Sequence, residues 1–174
     1  MSHVRSNAAS HARGCASVVE SSGPASSTGA GAAMRQDGPV LLEHGPHSAT
    51  IDLDGGRLAS LRVDGVELLV TSGPKPTRWG SFPMVPWCGR LRDGELEFDG
   101  HRYHFPLTSP PHANHGFCHV QPWTEIGPGA LRTELGDPWP FGGHAIQRFG
   151  LGDDHLTVAI EVHAAEEGHA MPAM

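Results

Sequence analysis

Residues 58–70 read LASLRVDGVELLV, and they decide the fold class. Asp64-Gly65 stands between two apolar-rich runs, and such a pair supplies the two positive-φ positions of a tight hairpin turn. The device recurs in ELEFDGHRYHF (95–105): Leu96 and Phe98 alternate with Glu95 and Glu97, Asp99-Gly100 turns the chain, and Tyr103 and Phe105 resume the alternation. HLTVAIEVH (155–163) puts Leu156, Val158, Ile160 and Val162 on one face and Thr157, Ala159, Glu161 and His163 on the other, the period of a strand. GALRTEL (129–135) and HAIQRFGL (144–151) are weaker strand candidates. No window carries the 3.6-residue period of an amphipathic helix. With 23 Gly and 15 Pro among 174 residues to punctuate short elements, the expectation is an all-β sandwich or barrel of hairpins.

The strand pattern begins at Gln36. Residues 1–34 hold eight Ser, eight Ala and four Gly, with Glu20 as their one acidic side chain. Such a segment buries too little apolar surface to offset its ordering entropy, so 1–34 is expected to be a disordered extension and 36–174 the folded part. The formal charge of −7 divides as +1 over 1–34 and −8 over the remainder. An acidic chain is poorly suited to sequence-independent nucleic-acid binding, which needs clustered cations. The apolar runs are too short for a helix to cross a bilayer. Cys15, Cys88 and Cys118 are too few and too scattered for a disulfide framework, which points to a reducing, cytoplasmic setting.

Three irregular stretches lie between the strands. RWGSFPMVPWCGRLRDG (78–94) combines flat apolar rings (Trp79, Phe82, Trp87) with the five-donor guanidinium of Arg90. Ring faces beside a planar donor fork suit a sugar, whose CH face stacks while its hydroxyls hydrogen-bond. A plainer reading stands beside it: aromatics in the core and Arg90 in a surface ion pair. PPHANHGFCHVQPW (110–123) carries His112, His115 and His119, a spacing that invites a zinc or copper site of cupin type. No nearby carboxylate or thiolate completes a recognised ligand motif, however, and His115-Gly116 reads equally as a place where backbone passes close to a ligand. DPWPFGGHAIQRF (137–149) reads as a bend with buried aromatics.

Four segments, FPMVPWCGRLRDGELEFDGHRYHFPL, HANHGFCHVQPW, DPWPFGGHAIQRFGL and LTVAIEVHAAEEGHAMPA, together resemble the aldose 1-epimerase (galactose mutarotase) family, over about Thr50 to Ala173. The resemblance implies a galactose-mutarotase-like β-sandwich (a supersandwich) that binds a hexose in an open cleft. It implies interconversion of α and β anomers by general acid–base ring opening, in carbohydrate metabolism, without metal or organic cofactor. Carried over by motif, Arg90 matches the family's sugar-binding arginine. His115 matches the histidine that contacts the sugar at its reacting end, as hydrogen-bonder or proton donor. Trp87, Arg92 and Trp123 lie beside these positions as candidate cleft lining.

One departure is consequential. In the family, MPA leads into a segment with W-H-P, whose histidine is the general acid, and a later glutamate is the base. Neither has a counterpart among the residues up to Met174. The sequence therefore reads as the N-terminal portion of such a fold, expected to be inactive alone and to self-associate through exposed strand edges. A non-catalytic carbohydrate-binding module is the alternative, and a cupin-like metal-binding barrel a third.

Overall fold

The computed structural model describes residues 38–166 and 170–172. The expected extension, 1–34, lies outside the described residues. Twelve strands appear among them: β1 (Val40–His44), β2 (His47–Asp52), β3 (Arg57–Val63), β4 (Val66–Glu67), β5 (Arg90–Leu91), β6 (Glu95–Phe98), β7 (His101–His104), β8 (Ala113–Asn114), β9 (Thr124–Gly127), β10 (Ala130–Glu134), β11 (His144–Leu151) and β12 (Leu156–His163). Helix among the described residues is confined to three short 3₁₀ turns.

Two four-stranded antiparallel sheets, β1-β2-β3-β4 and β12-β11-β10-β9, form the main layers, with β1 and β2 lying against β11. The hairpins expected from Asp-Gly are present: Asp64 and Gly65 take φ of 51° and 78° between β3 and β4, and Asp99 and Gly100 take 49° and 73° between β6 and β7. Alternation places Ala49 and Ile51 of β2 and Leu131 and Thr133 of β10 on the inner faces, where all four are buried. Fully burying a residue such as Ile51 or Leu131 contributes about 1.5–3 kcal/mol. The core continues into the irregular segments through Val85, Trp87, Phe105, Cys118, Trp123 and Trp139.

The cover thins toward the edges. On β11, Phe149, Gln147 and Ala145 are buried, yet their partners on β12, Val158, Ile160 and Val162, are 44 %, 45 % and 39 % exposed. The period-2 pattern predicts a strand with one apolar face, and the strand is there. Its apolar face is half open, and among the described residues β12 is an edge strand of its sheet. No helix among the described residues is long and apolar enough to cross a membrane.

Candidate functional site

The two histidine- and arginine-bearing stretches meet at Gly116. Its backbone forms a parallel bridge with Val85, and the amides of Phe117 and Cys118 both donate to the Val85 carbonyl, at 3.0 and 3.2 Å. A Cβ at Gly116 would lie 1.9 Å from that oxygen, and φ there is +63°, so only glycine fits. Close by, β5 pairs with β8, which sets Arg90 opposite Asn114, the residue before His115. His115 completes the join: its amide donates to the Gly89 carbonyl at 2.8 Å, and the Gly89 amide donates to His115 Nδ1 at 3.2 Å. An amide N–H can only donate, so Nδ1 is the acceptor and the neutral ring carries its proton on Nε2. His115 sits at φ +63°, a left-handed conformation uncommon outside glycine and concentrated at functional sites.

Beneath this join is a stacked platform. Arg57, at the start of β3, is buried, and its Nη1 donates to the carbonyls of Pro76 (2.6 Å) and Trp79 (2.8 Å). Its guanidinium lies 4.3 Å from the centre of a Trp79 ring and 5.6 Å from that of Phe82, distances at which a cation is attracted to an aromatic face. Phe82 in turn meets His119 at 5.3 Å and His115 at 6.0 Å between ring centres. Sequence reasoning passed over Arg57. A lone arginine opening an apolar run looks like a surface residue, and nothing local announces two carbonyls and two rings converging on it.

Of the five residues named as site candidates, Arg90 and His115 are brought together through the β5–β8 pairing and the Gly89–His115 join. Arg90 is exposed and His115 half-buried. Arg92 is exposed on the 3₁₀ turn Arg92–Gly94, directly after β5. Trp87 and Trp123 belong to the core rather than to a cleft wall. Trp87 packs among Phe105, Phe117 and Trp139, while Trp123 lies close against Gly56 and donates through Nε1 to the Cys118 carbonyl at 2.8 Å. The physical reason is size: an indole removes the most apolar surface from water when enclosed, and the Trp123 nitrogen finds a carbonyl inside.

The three histidines of the second stretch do not converge. His112 Nδ1 accepts from the Asp93 amide at 3.3 Å, His115 Nδ1 accepts from Gly89, and His119 is buried against Phe82. Among the described residues no group of three or more His, Cys, Asp or Glu could hold a metal ion, so the cupin-type arrangement is not formed. Burial also pushes the Cys118 thiol up to about 12, which leaves it a packing residue and not a nucleophile.

His119 is a proton-sensitive element of the platform. Burial first, then the charge of Arg57 and the neighbouring His115, hold its imidazole below the usual histidine range, while a hydrogen bond with the His115 backbone acts the other way. The folded protein thus favours the neutral ring, and as pH falls through about 6.5 the unfolded chain takes up the proton first. This contribution to stability is complete above that pH and is lost progressively below it. His119 Nδ1 has no hydrogen-bond partner and the ring packs against Phe82, so His119→Phe should keep the fold at neutral pH while giving up the hydrogen bond with the His115 backbone. The variant should also flatten the decline in urea midpoint between about pH 7 and pH 5. His144, lowered by burial and then by Arg132 and His163, keeps a residual slope of the same sign. Parallel pH profiles for wild type and variant would remove His119 from this role.

Fold and site together define a β-sandwich of the galactose-mutarotase type, with an arginine and a histidine presented outside its two main sheets. The chain belongs to the aldose 1-epimerase family, whose family model matches residues 39–174. Among solved structures it is similar to a putative aldose 1-epimerase from Escherichia coli K12, at 22% identity and TM-score 0.62, covering 72% of this chain and 46% of that one. It is also similar to a galactose mutarotase-like protein from Lactobacillus casei (20% identity, TM-score 0.57, 72% and 44% covered). A third is galactose 1-epimerase from Lactobacillus acidophilus (16% identity, TM-score 0.57, 71% and 43% covered). At such identities the likeness carries the fold. The chain spans less than half the length of these solved relatives. No curated protein matches it.

Proposed function

We propose that this protein binds a free hexose at the face formed by Arg90 and His115, as the sugar-recognition portion of an aldose 1-epimerase. The observation that carries the reading is the join itself. Two motif residues separated by a long stretch of sequence come to neighbouring positions, one through the β5–β8 pairing and the other through its two hydrogen bonds with Gly89. The exposed guanidinium of Arg90 offers a fork of donors to vicinal hydroxyls. The Nε2–H of His115, with Nδ1 already occupied by Gly89, offers one further donor to an oxygen at the anomeric end.

Ring opening needs a base to take the proton from the O1 hydroxyl while an acid protonates the ring oxygen, so that C1 becomes an aldehyde. Rotation about C1–C2 and reclosure then give the other anomer. Acid and base each contribute on the order of 10²–10⁴-fold when well placed. On this reading His115 supplies the donor side and residues 39–174 hold no matching base. The setting is cytoplasmic carbohydrate metabolism.

Titration calorimetry of the full chain with galactose and with glucose, run beside polarimetry, tests the reading. Saturable binding without accelerated mutarotation is expected. Accelerated mutarotation would show that this chain supplies both proton-transfer groups, and absence of any binding would overturn the proposal.

A further inference from the structure

Arg57 is the one permanently charged side chain among the buried residues described. Burying a cation costs free energy that an apolar side chain of similar volume would not. Residues 76–82 offset that cost. Nη1 of Arg57 donates to the carbonyls of Pro76 and Trp79, and the guanidinium lies against the rings of Trp79 and Phe82. Leu58, the next residue of β3, exchanges backbone hydrogen bonds with Ser81, at 2.9 Å each way. Gly80 permits the approach: at φ +60°, a Cβ there would sit 2.6 Å from the Leu58 carbonyl oxygen and 3.0 Å from Arg57 Cγ. The chain is therefore fixed immediately before Phe82, and soon after it by the bridge from Val85 to Gly116. Between these two ties the half-buried Phe82 ring meets His115 edge-on, at 6.0 Å and 64°.

We propose that Phe82 is the ring on which the hexose packs, and that Arg57 is the positioning residue that sets this ring beside His115. The inference rests on hexose binding at Arg90 and His115 and adds the apolar contact of that site. A pyranose carries C–H groups on its faces as well as hydroxyls at its rim, and Arg90 and His115 supply polar donors only. Trp87 and Trp123 are enclosed in the core and present no face to a ligand. Phe82 keeps partial exposure and is the aromatic ring in contact with His115 among the described residues. Arg57 is suited to hold it, because a guanidinium can bind two carbonyls through its N–H groups while its plane lies against aromatic faces. A leucine or methionine would fill the space without either attachment. Arg57 itself is 2 % exposed, so it acts on the sugar only through the ring it holds.

Titration calorimetry of the full chain with galactose tests both parts. Phe82→Leu keeps an apolar side chain but removes the ring face, and should weaken binding by about 2- to 10-fold, the aromatic contribution beyond burial. Phe82→Tyr keeps the face and should bind within about twofold of wild type. Arg57→Lys keeps the charge but not the fork, and should weaken binding over the same range as Phe82→Leu. In the double variant the two losses should not add, because Arg57 has no ring left to position. Wild-type affinity in Phe82→Leu would overturn the stacking role whatever Arg57→Lys does. Losses that add in the double variant would overturn the positioning role and leave Arg57 a structural residue. A wild-type chain that binds no galactose or glucose would instead remove the sugar site itself, and this inference with it.

Discussion

Gly116→Ala is expected to lower the stability of the fold by about 3–5 kcal/mol, a large share of the roughly 5–15 kcal/mol a domain possesses. Two costs coincide at this position. A side chain at φ +63° is strained by itself, at about 1–2 kcal/mol. The added methyl would also sit 1.9 Å from the Val85 carbonyl oxygen, and backbone rather than a flexible side-chain end must move to admit it. That movement breaks the bonds from Phe117 and Cys118 to Val85 and displaces His115, the next residue. A fall in urea midpoint should therefore accompany loss of hexose binding. The comparison is Gly100→Ala, also at positive φ but with open space around it, which should cost only the backbone strain. Equal losses at the two glycines would mean that the contact with Val85 is not tight.

Arg90→Ala is expected to weaken hexose binding by about 10- to 150-fold while leaving the melting transition in place. A hydrogen bond to a charged group contributes about 1.5–3 kcal/mol. The guanidinium is exposed, with no hydrogen bond or ion pair among the described residues, so its removal leaves no orphaned partner inside the protein. Stability should change by no more than about 0.5 kcal/mol. Arg90→Lys should recover part of the affinity at most, because an ammonium lacks the planar fork. Calorimetry on the three proteins decides it. Unchanged affinity in Arg90→Ala would remove this arginine from the site, and a shifted melting transition would assign it to the fold.

How far these residues could be read from sequence depends on where the physical signal resides. Asp64-Gly65 and Asp99-Gly100 announce their hairpins because the turn makes a backbone demand that few residue pairs satisfy. The hairpin of β1 and β2 was not singled out: Gly45-Pro46 joins it in place of an Asp-Gly pair. β5 and β8 have two residues each, too few to show any period, yet they set Arg90 opposite Asn114. Arg90 and His115 were legible as chemistry, through motifs that resemble a known family. Trp87 and Trp123 were legible only as large rings, and composition does not distinguish a ring stacked on a ligand from one enclosed in a core. Arg57 gave no signal at all, since its partners are carbonyls 19 and 22 residues away and any residue type carries a carbonyl.

The sequence by itself determined the all-β class, the two Asp-Gly turns, the alternating faces of β12 and the family. Each is a local pattern of residue type against the fixed period of a pleated backbone. Only the tertiary structure decided that the three loop histidines form no metal-binding group and that Arg57 stacks on Trp79 and Phe82. It alone decided that the apolar face of β12 stands half open. Burial and hydrogen-bond partnership belong to pairs of distant segments, and they exist only once those segments are packed together.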